Sequence, residues 1–201
     1  YAELLEYNPK QTDVIAELKD EIQHINEMVD RLLAIARYDN SKVIMHNERF
    51  SVNRLAASVI KSMSGLCQPG TFELKSQTGN IELTADKVMI RQLLGILLDN
   101  AVKYTGDNKK IAITLEKIAS SVKITVKDNG IGIPKKAKKH IFSDIYRAEN
   151  ARQSQEEGTG FGLLQVQRIV KMLHGKITFC SEEGKGTTFI VTLPRTTTVA
   201  E

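Results

Sequence analysis

Apolar residues recur at intervals of three and four along the first forty positions of the chain. One stripe runs from about Gln11 to Tyr38 and comprises Val14, Leu18, Ile22, Ile25, Val29, Leu32 and Ala36. This period predicts a long amphipathic helix, and Tyr1 to Tyr7 is expected to be the end of an earlier helix that breaks at Asn8-Pro9. The seam favours a helical hairpin that pairs with a second copy into a four-helix bundle, although a single helix lying on its own domain also fits the pattern.

The pattern changes after a polar stretch from Asp39 to Asn47. Helices are then predicted over Val52–Leu66, Lys87–Tyr104 and Phe161–His174. Strands are predicted over Thr71–Ser76, Ile81–Thr84, Ile111–Ile118, Val122–Lys127, Lys176–Ser181 and Thr187–Leu193. Ser51 and Asp86 are expected to cap the first two helices, and Gly175 the third. Because helices and strands mix without strict alternation, we predict an α+β fold, a two-layer α/β sandwich with helices on one face of a mixed sheet.

These patterns divide the chain into four parts. Residues 1–40 form the predicted helical hairpin, 41–49 a linker, 50–195 the α+β domain, and 196–201 a tail that is expected to fray from about Arg195 onwards. The chain has no initiator Met and begins inside a predicted helix, so we expect it to be part of a longer protein.

Composition narrows the function classes. Of the 201 residues, 41% are apolar and 26% charged, as in ordinary soluble proteins, and no run of eighteen apolar residues predicts a membrane span. Cys67 and Cys180 are far apart and lack metal-ligand spacing, which argues against a disulfide framework or a zinc site and fits a reducing compartment. The net charge is only +4, and no aromatic residues interleave with basic ones, so we predict no nucleic-acid binding. Four lysines within 135–139 are interpreted as a solvated helix face.

The run from Asp128 to Pro134, with sequence DNGIGIP, follows a strand of alternating apolar and polar residues. The strand therefore delivers a carboxylate and two glycines into one tight loop, where glycine lets the backbone approach a ligand closely. A carboxylate placed there can accept a hydrogen bond from a ligand amino group, such as the exocyclic amine of adenine. A plain turn closed by proline is the alternative for this run taken alone.

A second glycine cluster, from Gly158 to Leu163, opens a predicted helix. Successive backbone N–H groups at such a helix start can bind an anion. The polar segment before it, from Arg147 to Glu157, is a candidate lid that orders over a ligand. The cluster matches neither a P-loop nor a Rossmann fingerprint.

Polar residues at the end of the second domain helix offer metal and phosphate chemistry. Asn100, Lys103 and Tyr104 share one helix face, because they are three and four positions apart. An amide oxygen is a good ligand for a hard cation such as Mg²⁺, and a lysine one turn away can neutralise phosphate charge. A polar helix end with nothing bound is an equally good interpretation of this helix alone.

Taken in order, these segments resemble the nucleotide-binding boxes of sensor histidine kinases, in the wider ATPase superfamily that includes gyrase, the Hsp90 chaperone and the MutL repair protein. The matching segments are Leu98–Thr105, Asp128–Pro134, Ile141–Arg147, Gly158–Leu163 and Gly184–Phe189. The likeness covers about Phe50 to Pro194. It extends upstream, where Glu21–Asp39 resembles the second helix of the family's dimerisation and phosphotransfer hairpin, and the start of the chain resembles the end of its first helix.

The resemblance implies a Bergerat-type ATP-binding fold preceded by a helical hairpin. The implied activity is transfer of the ATP γ-phosphoryl group to a histidine upstream of this chain, for relay to an aspartate of a response regulator receiver domain. ATP and Mg²⁺ are the implied cofactors. A homodimer through the hairpin and a cytoplasmic location within a membrane-anchored sensor are implied as well.

The resemblance also implies roles for matching positions. Asp128 would bind the adenine amino group and Asn100 would hold Mg²⁺, while Lys103 would contact phosphates and Tyr104 would flank the nucleotide. Asn100 and Lys103 would thus serve catalysis, which in phosphoryl transfer is mainly positioning and charge neutralisation. The remaining positions line the pocket or anchor the lid: Gly130, Gly132, Ile133, Phe142, Arg147, Gly158, Thr159, Gly160, Gly162, Leu163 and Thr187.

Two departures from the family pattern stand out. Ile96 occupies the place of a second asparagine, one turn before Asn100, which is expected to alter Mg²⁺ affinity. The phosphoacceptor is missing, because none of the four histidines stands in the context that the family requires: His24, His46, His140 and His174. We therefore expect the chain to bind ATP but not to phosphorylate itself.

Two other functions remain open at this stage. An ATP-hydrolysing conformational clamp of the same superfamily would need a water-activating carboxylate beside Asn100, and Asp99 is the candidate. A non-catalytic dimerisation module with a vestigial pocket would need neither nucleotide nor metal.

Overall fold

The computed structural model describes residues 45–65, 67–68, 70–142, 148, 150–151 and 160–196. All of them belong to one unit, Ile44–Glu201. The predicted hairpin of residues 1–40 and most of the predicted linker lie outside the described residues. The division of the chain into domains therefore stays a prediction.

The elements follow one another as strands β1 to β7 and helices α1 to α3. In chain order they are β1 (Asn47–Ser51), α1 (Val52–Ser64), β2 (Phe72–Ser76), β3 (Glu82–Asp86), α2 (Lys87–Lys103), β4 (Ile111–Ile118), β5 (Ser121–Lys127), α3 (Gly162–Met172), β6 (Lys176–Glu182) and β7 (Gly186–Pro194). A short 3₁₀ turn, Ala137–Lys139, stands where the sequence predicts a short basic helix.

Five strands form one mixed sheet in the order β2-β4-β5-β7-β6. Strands β2 and β4 are parallel, and the other neighbours are antiparallel. Alternate residues of the central strands are buried, which is the pattern of a sheet covered on one face. The predicted α+β class with a mixed sheet and helices is confirmed.

Helices α1 and α2 begin where the sequence predicts, and α3 begins one residue later, at Gly162. The Ser51 hydroxyl accepts a hydrogen bond from Arg54 N, and the Asp86 carboxylate accepts bonds from Val88 N and Met89 N. Such caps satisfy backbone donors that the first helical turn leaves unpaired. Helix α2 packs against both α1 and α3. Its buried side chains form the centre of the core: Met89, Ile90, Leu93, Leu94, Leu97, Leu98 and Ala101.

Strand β1 is not predicted from the sequence, because residues 47–49 are assigned there to a linker. β1 pairs antiparallel with β3 in a separate two-stranded sheet. Phe50 is the only buried residue of this strand. One apolar position gives no period-2 signal, so the strand depends on backbone pairing that the sequence pattern does not show.

Two smaller expectations are wrong, one at the end of α3 and one after β7. His174, and not Gly175, adopts the left-handed conformation after α3, with φ 54°. His174 N bonds to Lys171 O and Gly175 N to Val170 O, as in a Schellman cap. The expected fraying at Arg195 is also wrong, because Thr84 N donates to Arg195 O at 2.9 Å and Thr196 forms a bridge with Thr84.

Candidate functional site

Asp128 follows the last residue of β5 and is only 7% exposed. Its Oδ1 accepts hydrogen bonds from Gly130 N at 2.9 Å and Thr187 N at 3.0 Å. Its own N–H donates to Thr187 O at 2.9 Å, which ties the end of β5 to the start of β7. Within the described part of the chain, nothing donates a hydrogen bond to Oδ2. That oxygen is available to a ligand.

Burial sets the protonation behaviour of this carboxyl. Desolvation raises the pKa of Asp128 above 3.8, and the backbone N–H bonds from Gly130 and Thr187 oppose that rise. A buried, partly hydrogen-bonded carboxylate is a strong acceptor for one further donor, because an N–H bond to its free oxygen replaces hydration lost on folding.

The loop of residues 128–134, called here the first glycine loop, lies directly against neighbouring backbone. A Cβ on Gly130 would stand 2.2 Å from Tyr104 O, which also accepts a hydrogen bond from Ile131 N at 2.9 Å. Gly132 has φ +66°, and a Cβ there would stand 2.0 Å from Glu182 O. Both positions therefore need glycine, one for close approach and one for conformation as well. The plain-turn alternative does not account for these contacts.

Asn129 ties the same loop to the segment before β4. Its Oδ1 accepts a hydrogen bond from Lys110 N at 2.8 Å, and its Nδ2 donates to Asn108 O at 2.9 Å. The side chain therefore ties the loop to the segment before β4 by two hydrogen bonds. Asn129 is not among the predicted site residues, and its bonds hold the loop in place.

Asn100 and Gly162 bring the end of α2 close to the start of α3. A Cβ on Gly162 would lie 2.9 Å from Ile96 Cγ2 and 3.9 Å from Asn100 Nδ2. The Asn100 side chain makes no hydrogen bond with any described residue. Ile96, which replaces an expected asparagine, is the side chain closest to Gly162. The apolar side chain of Ile96 thus stands beside Gly162 where the family pattern has the amide of a second asparagine.

Lys103 is predicted to contact phosphates, and in this structure its side chain pairs with a neighbouring carboxylate. Its Nζ forms an ion pair with Asp99 Oδ2 at 2.8 Å, and the two side chains are 36% and 48% exposed. An exposed pair of this kind contributes only about 0–1 kcal/mol, so an incoming phosphate can replace Asp99 as the partner of Lys103. The ion pair also occupies Asp99, the carboxylate that an ATP-hydrolysing clamp would need to activate water.

Phe142 belongs to an aromatic cluster rather than standing alone. Its ring lies edge-on to Phe179 and Phe189, with centroid distances of 5.7 and 6.4 Å. The cluster joins the chain after the 3₁₀ turn to the edge strand β6 and to its neighbour β7. Phe142 is thus held against the sheet, and its role as an anchor of the lid stays a prediction, because residues 143–147 and 152–159 lie outside the described residues.

The other predicted positions are distributed as follows. Ile133 N donates to Ser181 Oγ at 2.8 Å, and Thr187 is buried beside Asp128. Gly160 has φ +71°, Gly162 begins α3, and Leu163 is half-buried in its first turn. Arg147, Gly158 and Thr159 lie outside the described residues.

Ser181 and Asn150 join this region although the sequence analysis did not select them. The Ser181 hydroxyl contacts Ile133, Gly186 and Thr187. Asn150 Nδ2 donates to Gly132 O at 3.0 Å, while its buried Oδ1 has no partner among the described residues. One signal was present for Ser181, since β6 alternates and Ser181 shares its half-buried face with Ile177 and Phe179.

The interpretation of Lys138 as part of a solvated helix face is wrong. Its Nζ donates to Ser181 O and the residue is half-buried. Cys67 and Cys180 are both free, in keeping with the expected absence of a bridge between them.

The described donors fit a cation shared with phosphates better than one held by protein alone. Among the residues that the structure describes, no three His, Cys, Asp or Glu side chains come close enough to hold a metal ion. Asn100 offers one unpaired amide oxygen. Mg²⁺ bound with nucleotides commonly has few protein ligands and keeps water and phosphate oxygens as the rest.

A separate concavity of about 460 Å³ lies by β1, α1 and the start of α2. It contains none of the predicted site residues. Its cations include Arg49, which pairs with Glu82, and Lys87, which pairs with Glu48 at 3.3 Å. No helix within the described ranges is long and apolar enough to cross a membrane.

Comparison with known proteins identifies a family and similar sequences. Residues 85–197 match the family model described as histidine kinase-, DNA gyrase B- and HSP90-like ATPase. The signal transduction histidine-protein kinase ArlS of Staphylococcus epidermidis is 33% identical over 175 residues, which is 87% of this chain. The chain spans 38% of the length of that relative.

Solved structures show the same fold. The nucleotide-free catalytic domain of histidine kinase ThkA superposes with a TM-score of 0.66 at 29% identity, covering 76% of this chain and 97% of that one. ThkA in complex with the response regulator protein TrrA superposes with a TM-score of 0.72 at 23% identity, covering 97% of this chain and 54% of that one.

Proposed function

Because the chain belongs to the histidine kinase-, DNA gyrase B- and HSP90-like ATPases, we propose that it binds ATP between the first glycine loop and the facing ends of α2 and α3. The free Oδ2 of buried Asp128 carries this proposal. It would accept a hydrogen bond from the adenine amino group. A single unpaired acceptor in a buried site selects strongly for a ligand that supplies the matching donor.

The triphosphate would extend from Asp128 towards Asn100 and Lys103. Lys103 would exchange its pair with Asp99 for a phosphate oxygen, and Asn100 would supply the protein ligand of Mg²⁺. Bound Mg²⁺ would neutralise phosphate charge during transfer. Gly158, Thr159, Gly160 and Gly162 would cover the phosphates with backbone N–H groups, with Phe142 and Arg147 anchoring the lid.

We propose that the activity served by this site is that of a two-component sensor histidine kinase. The γ-phosphoryl group would pass to a histidine of the parent protein and then to an aspartate of a response regulator receiver domain. ThkA, whose catalytic domain resembles this chain, is itself a histidine kinase that forms a complex with a response regulator. The parent would dimerise through the helical hairpin and be anchored in a membrane, with this region in the cytoplasm.

The chain alone would bind nucleotide without phosphorylating itself, because none of its four histidines has the expected sequence context. Incubation with radiolabelled ATP tests this statement. Label that is stable to base and labile to acid on any of the four histidines would contradict it.

Calorimetric titration with a non-hydrolysable ATP analogue, with and without Mg²⁺, tests the binding proposal. We expect saturable binding to the wild-type chain, stronger with Mg²⁺, and a loss of roughly 100-fold in Asp128→Asn, since a hydrogen bond to a charged acceptor contributes about 1.5–3 kcal/mol. Asp86→Asn is the matched control, because Asp86 is equally buried and lies away from the loop. Absence of binding to folded wild-type protein would contradict the proposal and favour the dimerisation module.

A further inference from the structure

We propose that Ser181 is a positioning residue for the nucleotide: its hydroxyl locks the first glycine loop to the start of β7, so that Ile133 and Thr187 keep fixed places beside Asp128. The inference rests on the proposed function, because it concerns the same pocket. Ser181 itself lies on β6 and is assigned no contact with the nucleotide.

The hydroxyl of Ser181 uses its full hydrogen-bonding capacity. Oγ accepts from Ile133 N at 2.8 Å, and it lies 3.0 Å from Gly186 O and 2.9 Å from Thr187 Oγ1. A hydroxyl has one proton and two acceptor sites. When Ser181 donates to Gly186 O, the Thr187 hydroxyl donates to Ser181 Oγ. This one oxygen therefore links β6, to which it belongs, with the first glycine loop and with the start of β7.

Other bonds surround this hydroxyl and make the junction rigid. Gly184 N donates to Ile131 O at 2.8 Å, and Gly132 lies directly against Glu182 O. Lys138 Nζ donates to the Ser181 carbonyl. The first glycine loop is thus held along its length by the end of β6 and the turn that follows it. The Ser181 hydroxyl adds a side-chain link from β6 to both the loop and β7.

The position of Thr187 carries the consequence for the nucleotide. Thr187 N donates to Asp128 Oδ1, so any shift of Thr187 alters the orientation of the carboxylate. Removing the Ser181 hydroxyl leaves Ile133 N without an acceptor and releases Thr187 Oγ1. The loop and the carboxylate would then sample more positions, and binding would have to order them again at a cost in affinity.

This location predicts which part of the nucleotide is affected. Ser181 acts next to Asp128, at the proposed adenine end, while Lys103 and Asn100 lie at the proposed phosphate end. Loss of the hydroxyl should therefore weaken ADP and a non-hydrolysable ATP analogue by the same factor. The ratio of their dissociation constants should stay at the wild-type value.

Calorimetric titration of Ser181→Ala with both nucleotides is the test. We expect each to bind roughly tenfold more weakly, the size expected when a partly buried N–H group loses its hydrogen-bond partner. Ser181→Thr keeps the hydroxyl and should recover most of the affinity. Ser62→Ala is the matched control, because its hydroxyl donates to Val59 O within α1, and it should leave both dissociation constants unchanged.

Several results would overturn the inference. Wild-type affinity in Ser181→Ala would do so, as would a loss confined to the ATP analogue. Should Ser181→Ala fail to fold, Ser181→Cys replaces it. The thiol is a poor acceptor, so affinity should again fall, and wild-type affinity would again contradict the inference. Failure of the wild-type chain to bind either nucleotide would instead overturn the proposed function, and this inference with it.

Discussion

Two buried aspartates in this protein have nearly the same burial and opposite uses. Asp86 is 6% exposed and Asp128 is 7% exposed, and each carries two backbone N–H bonds on Oδ1. Oδ2 of Asp86 accepts a third bond, from His46 N at 3.0 Å. Oδ2 of Asp128 accepts none from the described residues. Burial alone does not distinguish the two residues; the unused oxygen does.

The residues that follow each aspartate account for this difference. Asp86 precedes α2, whose first turn presents the N–H groups of Val88 and Met89 to its carboxylate. Asp128 precedes Asn129-Gly130, so its partners come from a loop and from Thr187 of β7, 59 positions away. The first arrangement caps a helix. The second leaves one oxygen at the edge of a glycine loop, where a ligand can reach it.

The glycine after Asp128 has no counterpart after Asp86, and changing it should have the largest effect on stability. In Gly130→Ala the new Cβ would stand 2.2 Å from Tyr104 O, so backbone must shift. We expect the free energy of unfolding to fall by about 2–3 kcal/mol, together with loss of nucleotide binding.

Denaturant unfolding measures the loss of stability in Gly130→Ala. The control is a glycine with free space around its Cβ position, Gly95. In Gly95→Ala, within α2, no described atom outside the local helix backbone and the two chain neighbours lies within 4 Å of the added Cβ. That variant should gain about 0.5–1 kcal/mol from its lower unfolded-state entropy. Equal stability changes in the two variants would contradict the close contact at Gly130.

Removing the capping carboxylate should have the next largest effect. Asp86→Ala leaves the N–H groups of Val88, Met89 and His46 without their acceptor. We expect a loss of about 1–2 kcal/mol in denaturant unfolding. The dissociation constant for an ATP analogue should not change while the protein is folded; a tenfold change would show that the two aspartates are not separate in function.

Asp128→Asn should have a small or favourable effect on stability, in contrast to its effect on binding. The asparagine Oδ1 can accept the same two N–H bonds, and the variant no longer buries a charge. At neutral pH we expect a midpoint of thermal unfolding equal to or above that of the wild type. A clear drop would show that Asp128 stabilises the fold and would remove the contrast with Asp86.

The smallest expected effect is the pH dependence of the difference in stability between the wild type and Asp128→Asn. Because the folded-state pKa of Asp128 lies above the unfolded value of 3.8, the folded state binds the extra proton between these two pKa values. Wild-type stability relative to Asp128→Asn should therefore rise as pH falls from neutral towards 3.8, and stay constant below it. Unfolding of both proteins by urea at several pH values measures this trend. A wild-type protein that loses stability relative to Asp128→Asn as the pH falls would contradict the raised pKa of Asp128.

The sequence predicts most of the fold because its strongest signals are local. Period-2 strands, a 3.6-period helix and two capping side chains define β4, β5 and α2 closely. Strand β1 escapes prediction because only Phe50 is buried there. His174 takes the left-handed position expected of a glycine, because Gly175 is needed where a Cβ would stand 2.5 Å from Leu193 Cδ2.

The candidate site is predicted less completely, since its contacts join distant segments. Asp128 and the glycines are visible as a motif. The pairing of Lys103 with Asp99, the bond from Asn150 to Gly132 and the junction at Ser181 are not. Ser181 and Ile133 are 48 positions apart, and no local pattern specifies which hydroxyl meets which backbone N–H.

The base selectivity of binding tests the central claim, that the free oxygen of Asp128 accepts the adenine amino group. Titration compares ATP with inosine triphosphate, which carries a carbonyl in place of that amino group. The account predicts that wild-type protein binds ATP at least roughly tenfold more tightly, and that Asp128→Asn, whose amide can donate to the carbonyl, loses or reverses this preference. Equal affinity of the wild type for both nucleotides, or a preference that survives in Asp128→Asn, would contradict it.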